Sequence, residues 1–125
     1  MIATITSYFR QPTSIIKNVL WRFPKRKSLK RHVFIVGAPR SGTTLLQIVL
    51  SSHPAFDSYM GESGLFTWQN VFDNLRRYGD LEDKEIRRLL MISADIVEFF
   101  DNLANTILQR TSGARFIEKT SQHVL

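Results

Sequence analysis

Short apolar runs alternate along the chain with longer stretches in which apolar residues return every three or four positions, and this divides it into elements. Between Pro12 and Pro24, residues Ile15, Ile16, Val19, Leu20 and Phe23 recur at helical spacing with Lys17 and Arg22 among them, which predicts a short amphipathic helix. Val33-Phe34-Ile35-Val36 is a β-branched and aromatic run suited to a buried parallel strand. Residues 43–52 read as a helix that His53-Pro54 ends, since the residue before proline is pushed out of the α region. A second strand is predicted over 56–60, followed by a turn over 61–64. Leu65, Phe66, Trp68, Val71, Phe72 and Leu75 then share one face of a helix over 65–78, closed by Gly79. A longer helix is predicted over 83–110, where Ile86, Leu89, Leu90, Ile96, Phe99, Phe100, Leu103 and Ile107 keep helical period and Gly113 supplies the stop. The run ARFIEKT, 114–120, reads as a third strand leaving the core at Glu118, Lys119 and Thr120. Trp68 and Phe66, Phe72, Phe99 and Phe100 are expected in the core.

Strand, loop, helix, strand, helices, strand is the order of the first half of a doubly wound parallel sheet. The fold expected is α/β, P-loop-like, with flanking helices. Three short strands with the last at the terminus make an incomplete domain, so residues 33–125 are expected to be the N-terminal part of a larger one. Residues 1–32 form a basic tail ahead of it. As a monomer the chain is expected to be marginally stable.

Charge sharpens that division. The net charge is +6, from 17 Lys and Arg against 11 Asp and Glu. Eight of the cations fall within residues 1–32, which hold no acid; the remaining nine face all eleven acids in the body, a net of −2 there. A nucleic-acid partner is not expected, since nothing in the tail reads bases. Three uses of the tail remain: a solvated linker or packing helix, contact with an anionic membrane surface, or non-specific nucleic-acid contact. There is no cysteine, hence no disulfide framework and no thiolate chemistry. No apolar run approaches the roughly 18 residues of a spanning helix, and charges interrupt any secretory leader. A cytoplasmic location, with or without peripheral membrane contact, is the expectation. His32, His53 and His123 are too scattered to form a metal site.

The first strand runs into Gly37-Ala38-Pro39-Arg40-Ser41-Gly42-Thr43-Thr44 and then the helix. Successive backbone N–H groups and the free amides of a helix N-terminus form an anion-binding nest in such a loop. The two glycines match the spacing of a triphosphate loop, yet Thr43 stands where that loop carries its lysine, and the cation present is Arg40. The cradle therefore fits one phosphate better than three. A mere Gly/Pro turn is the plainer alternative. The preceding apolar strand, the Ser-Gly-Thr-Thr that follows and the cation within the loop argue against it.

The run GAPRSGTTLLQIVLSSHP resembles the 5′-phosphosulfate-binding loop of sulfotransferases that use 3′-phosphoadenosine 5′-phosphosulfate (PAPS), where the pattern is Pro, Lys or Arg, Ser, Gly, Thr, Thr. Pro39 to Thr44 match it position for position, in the arginine form of the tyrosylprotein, carbohydrate and many bacterial members. The resemblance spans about residues 33–124 and is strongest at 34–54. It implies PAPS as co-substrate, no metal, residues 37–44 as the donor cradle, and Arg40 beside the bridging oxygen that leaves as sulfuryl transfers. It also implies an acceptor base. Glu62, just past the second predicted strand, is the candidate, and it would need burial to act near neutrality; a helix-capping carboxylate is the alternative. His53 comes too early for the histidine base of the cytosolic branch. Lys119 matches a third-strand lysine aimed at the sulfonate, although Ser121 replaces the proline usual two positions on; a surface lysine at a strand end is the plainer reading. The family binds the 3′-phosphate of PAPS on later elements, expected beyond residue 125, so activity of this chain by itself is not expected. Competing readings are a P-loop kinase or nucleotide hydrolase, which would want lysine at position 43 and an acidic Mg²⁺ ligand, and a non-catalytic anchoring module working through the tail. Sugar, protein, lipid and small alcohol or amine acceptors all stay open.

Overall fold

A computed structural model describes residues 12–24, 26–58, 62–66, 78 and 81–120. The elements are α1 (Pro12–Trp21), β1 (Val33–Ile35), α2 (Thr43–Ser51), β2 (Phe56–Asp57), α3 (Asp83–Ile92), α4 (Ile96–Thr111) and β3 (Arg115–Lys119). The strands form a parallel sheet in the order β1-β3-β2. Val33 pairs with Ile117 and Ile35 with Lys119, while Phe56 pairs with Arg115. This is the α/β architecture expected, with the last strand inserted between the first two.

That insertion decides burial. Central β3 is buried from Phe116 through Lys119, and Thr120 beyond it is buried too. β1 lies at the edge of the described sheet, and Phe34 and Val36 are about half exposed. The expectation of a first strand buried on both faces is thus corrected: its apolar content reads the same for an edge strand with one covered face. β2 is two residues long rather than five, with Ser58 outside it and residues 59–60 outside the described set.

The single long helix expected over 83–110 is two helices. Ser93 takes extended backbone as C-cap of α3, and its hydroxyl donates to the Leu89 carbonyl at 2.6 Å. Asp95 caps α4 by accepting from the Glu98 amide at 2.9 Å. Glu82 and Glu85 make a capping box at the start of α3. The break leaves Ile86, Leu89 and Leu90 of α3 and Phe99, Phe100, Leu103 and Ile107 of α4 all facing one core.

α4 ends one residue past expectation, and the stop is Ser112, in the left-handed region at φ 63°, not Gly113. Gly113 serves close approach instead, since a Cβ there would stand 3.0 Å from Leu108 Cδ2 and 3.2 Å from Asp57 Cβ. Phe99 and Phe100 are in the core as expected, but Phe66 is partly exposed. Trp68 and Phe72, with most of the helix expected over 65–78, lie outside the described residues.

Trp21, Arg26, Ser28 and His32 contact the body. The Trp21 ring lies 5.9 Å from that of Phe99, and the His32 ring 4.8 Å from that of Phe100. His32 Nε2 and Ser28 Oγ both approach Asp101 Oδ1 at 2.7 Å, and Arg26 pairs with Glu98 at 3.2 Å. The chain ahead of β1 thus runs along α4. His32 has a structural partner there in Asp101.

Candidate functional site

The loop between β1 and α2 is shaped by its own residue types. Ala38 to Ser41 close a turn through Ser41 N–H to the Ala38 carbonyl, 3.2 Å. Proline at the second position and a positive φ at the third are the marks of a type II turn, whose third position normally takes glycine. Here that position is Arg40, at φ 63°. A non-glycine residue held left-handed costs of order 1–3 kcal/mol, and such strain collects at ligand sites. Gly42 follows at φ 90° as N-cap of α2, a conformation that only glycine adopts without strain. Gly37 is required for a different reason: a Cβ there would meet Ser41 Oγ at 2.9 Å and Thr43 Cγ2 at 3.0 Å.

The loop therefore presents the N-terminus of α2, the hydroxyl-bearing residues Ser41, Thr43 and Thr44, and one guanidinium. Arg40 is exposed and makes no hydrogen bond or ion pair among the described residues. Its charge is uncommitted. Gln47, one turn into α2, is buried and donates to Ser58 Oγ at 2.7 Å, tying the helix to the end of β2.

Lys119 ends β3 level with Ile35, two residues ahead of Gly37, so it stands at the same carboxyl edge of the sheet from which the loop departs. Its Nζ lies 2.7 Å from Glu62 Oε1. The two candidates, 57 residues apart in sequence, are thus brought together, while no contact joins either to Arg40. Lys119 is a nearly buried lysine with a partner, not the surface lysine of the plainer reading; its side chain is 10% exposed. The Glu62 side chain is 36% exposed, so the burial expected of it is not found.

A second cluster underlies this pair. Glu118 is buried, and its Oε1 accepts from Ser63 Oγ and Thr120 Oγ1, each at 2.6 Å. Ser63 Oγ in turn accepts from the Leu65 amide at 3.2 Å, and Thr120 Oγ1 from the Gly64 amide at 3.1 Å. Each hydroxyl passes polarity from a backbone N–H to the carboxylate. The result fastens residues 63–65, next to Glu62, onto β3, next to Lys119. Glu118 was absent from the residues expected to matter, yet a carboxylate inside an apolar strand is itself a signal, because burying one demands donors.

No group of three or more His, Asp or Glu side chains placed to hold a metal occurs among the described residues, and none of their helices is long and apolar enough to cross a membrane. The described residues thus set a glycine-bearing strand–loop–helix and a Lys119–Glu62 pair at the carboxyl edge of a parallel α/β sheet, the edge at which such sheets bind ligands. A family model described as the sulfotransferase family matches residues 32–124, and the chain belongs to that family. No curated protein and no solved structure matches it.

Proposed function

We propose that this sulfotransferase takes its sulfuryl group from PAPS and delivers it to a hydroxyl or amine acceptor at the Glu62–Lys119 pair. The observation that carries the reading is that pair, 2.7 Å apart and one strand from the Gly37–Thr44 loop. What supports the donor is the loop's chemistry: hydroxyls, helix-terminal amides and an arginine without an ion pair among the described residues are all hydrogen-bond donors, as an oxyanion requires. The absence of lysine at position 43 disfavours a nucleoside triphosphate.

The donor supplies a sulfur whose bond to the bridging phosphate oxygen breaks as the acceptor's bond to sulfur forms. Arg40 and the loop amides stabilise the negative charge growing on the departing oxygen; a guanidinium does so at any physiological pH. Lys119 offsets charge on the sulfonate oxygens. Glu62, ionised, takes the acceptor's proton as the new bond forms. Release of Glu62 from Lys119 by an incoming sulfonate would free the carboxylate at the moment the base is needed. Little covalent work is left to the protein, so alignment and charge dominate the rate.

Calorimetry on a full-length form with adenosine 3′,5′-bisphosphate in the presence of EDTA tests the donor. Binding without Mg²⁺ that weakens in Arg40→Ala is the expected result. Tighter, Mg²⁺-dependent binding of ATP would instead make the protein a nucleotide hydrolase or kinase relative.

A further inference from the structure

The first helix carries its apolar stripe on the outside. Among its described side chains Asn18 and Trp21 are buried, and Trp21 meets the core through Phe99. Ile16, Val19 and Leu20, joined by Phe23 two residues past the helix end, stand at i, i+3, i+4 and i+7, the spacing that on an ordinary surface helix faces the core. Here they are 61, 50, 63 and 75% exposed. The stripe continues past Phe23 into an open apolar cleft of about 390 Å³, lined also by Pro24, Leu65, Phe66, Ile96 and Val97. A contiguous apolar surface of this kind marks an interaction site.

Charge identifies the occupant. No acidic residue precedes Asp57, and Lys27, Lys30 and Arg31 follow the stripe without an ion pair among the described residues. Leu29, in their midst, is 96% exposed. The segment lies against the body where Arg26 pairs with Glu98 and Ser28 donates to Asp101. A second copy docked on the stripe would bring two basic segments together, and like charges facing each other oppose association. A nucleic acid would use the cations and leave the stripe unexplained. An apolar helical stripe followed by unpaired cations has the chemistry of an interfacial helix on anionic lipid.

We infer that α1 docks this protein on an anionic membrane surface, with Ile16, Val19, Leu20 and Phe23 in the headgroup–acyl boundary and Lys27, Lys30 and Arg31 over the phosphates. The inference is independent of the donor and acceptor proposed above. The docked surface borders Leu65 and Phe66, three and four residues past Glu62.

Co-sedimentation of the full chain with phosphatidylcholine vesicles, with and without about 30% phosphatidylserine, tests it. Binding only to the anionic vesicles is expected, reduced about tenfold or more in the double variant Ile16→Ser, Leu20→Ser and again in Phe23→Ser, and weakened by about 0.5 M NaCl. Thermal unfolding should be unchanged in both variants, since these side chains are exposed. Undiminished vesicle binding by folded stripe variants would overturn the inference, leaving only charge attraction. So would no vesicle binding at all, whether the chain is a monomer or a dimer that the same variants dissociate. Preferential binding of the wild-type chain to duplex DNA over anionic vesicles would equally overturn it.

Discussion

Lys119 at the end of the central strand and Glu62 in the segment after β2 are joined at 2.7 Å, and this contact sets a cation and a carboxylate side by side at the sheet edge where the Arg40 loop begins. If the pair is catalytic, its members should separate kinetically. Glu62→Gln removes a proton acceptor that touches only the acceptor substrate, so kcat should fall about 10²–10⁴-fold with donor affinity nearly unchanged. Lys119→Met removes charge from the transferring group and should lower kcat about 10²–10³-fold. Neither should cost more than about 1 kcal/mol of stability, because Glu62 is partly exposed and solvent screens the pair. Steady-state kinetics of a full-length form, for these and the variants below, beside denaturant unfolding, decide it. Full activity in Glu62→Gln would put the base elsewhere.

Arg40 tests the loop. Its left-handed backbone is strained and its side chain makes no contact that would repay the strain within the described structure. Arg40→Gly relieves that strain, about 1–3 kcal/mol, but loosens the unfolded chain, an opposing effect of about 0.4–1 kcal/mol, so the net change should lie between neutral and about 2 kcal/mol stabilising. Arg40→Ala keeps the strain and should melt close to the parent. Both should lose about 10²–10³-fold in kcat. A large fall in melting temperature in either variant would instead give Arg40 a structural role.

The parts of the site legible in sequence are those encoded within a few consecutive residues. The loop could be read because Gly37, Gly42 and the following Thr-Thr have local reasons to stand where they do. The Glu62–Lys119 contact depends on β3 entering the sheet beside β1, a long-range choice that no spacing reveals. The break between α3 and α4 was hidden by the apolar period, which passes unbroken from Leu90 to Ile96. Its signal was polar: Asp95 with Glu98 three residues later is the start pattern of a new helix, and Glu98 Oε2 accepts from the Ala94 amide at 2.8 Å. Likewise the apolar run at β1 carried no mark of which face the sheet would cover.

Glu118 should act as a positioning residue. Glu118→Ala strips two buried hydroxyls, Ser63 and Thr120, of their common acceptor. That should cost about 2–4 kcal/mol, since hydrogen bonds to a charged group are worth about 1.5–3 kcal/mol and buried polar atoms left unmatched add to the loss. Glu118→Gln keeps an acceptor oxygen and should recover much of the stability. If the cluster sets the position of Glu62, Glu118→Gln should still lower kcat while leaving donor affinity alone. Equal kcat in parent and Glu118→Gln would confine the cluster to folding.

The two loop glycines should fail in different ways when each becomes alanine. At Gly42 a Cβ would meet nothing within 4 Å, so space is not the constraint; the φ of 90° is. Gly42→Ala should therefore destabilise by roughly 1–2 kcal/mol from backbone strain alone, and Gly42→Asn by less, because asparagine tolerates the left-handed region. At Gly37 no positive φ is required, and the obstacle is contact with Ser41 Oγ at 2.9 Å and Thr43 Cγ2 at 3.0 Å. Both are the ends of short side chains that can turn aside, so Gly37→Ala should cost little stability. Turning them aside moves the hydroxyls from the face of the loop offered to the donor. Gly37→Ala should then weaken adenosine 3′,5′-bisphosphate binding more than it lowers the melting temperature, and Gly42→Ala the reverse. Calorimetry and thermal unfolding on the same two proteins separate the cases. Equal losses of affinity and stability in both variants would mean that the loop collapses as a unit, and that its hydroxyls have no individual part in holding the donor.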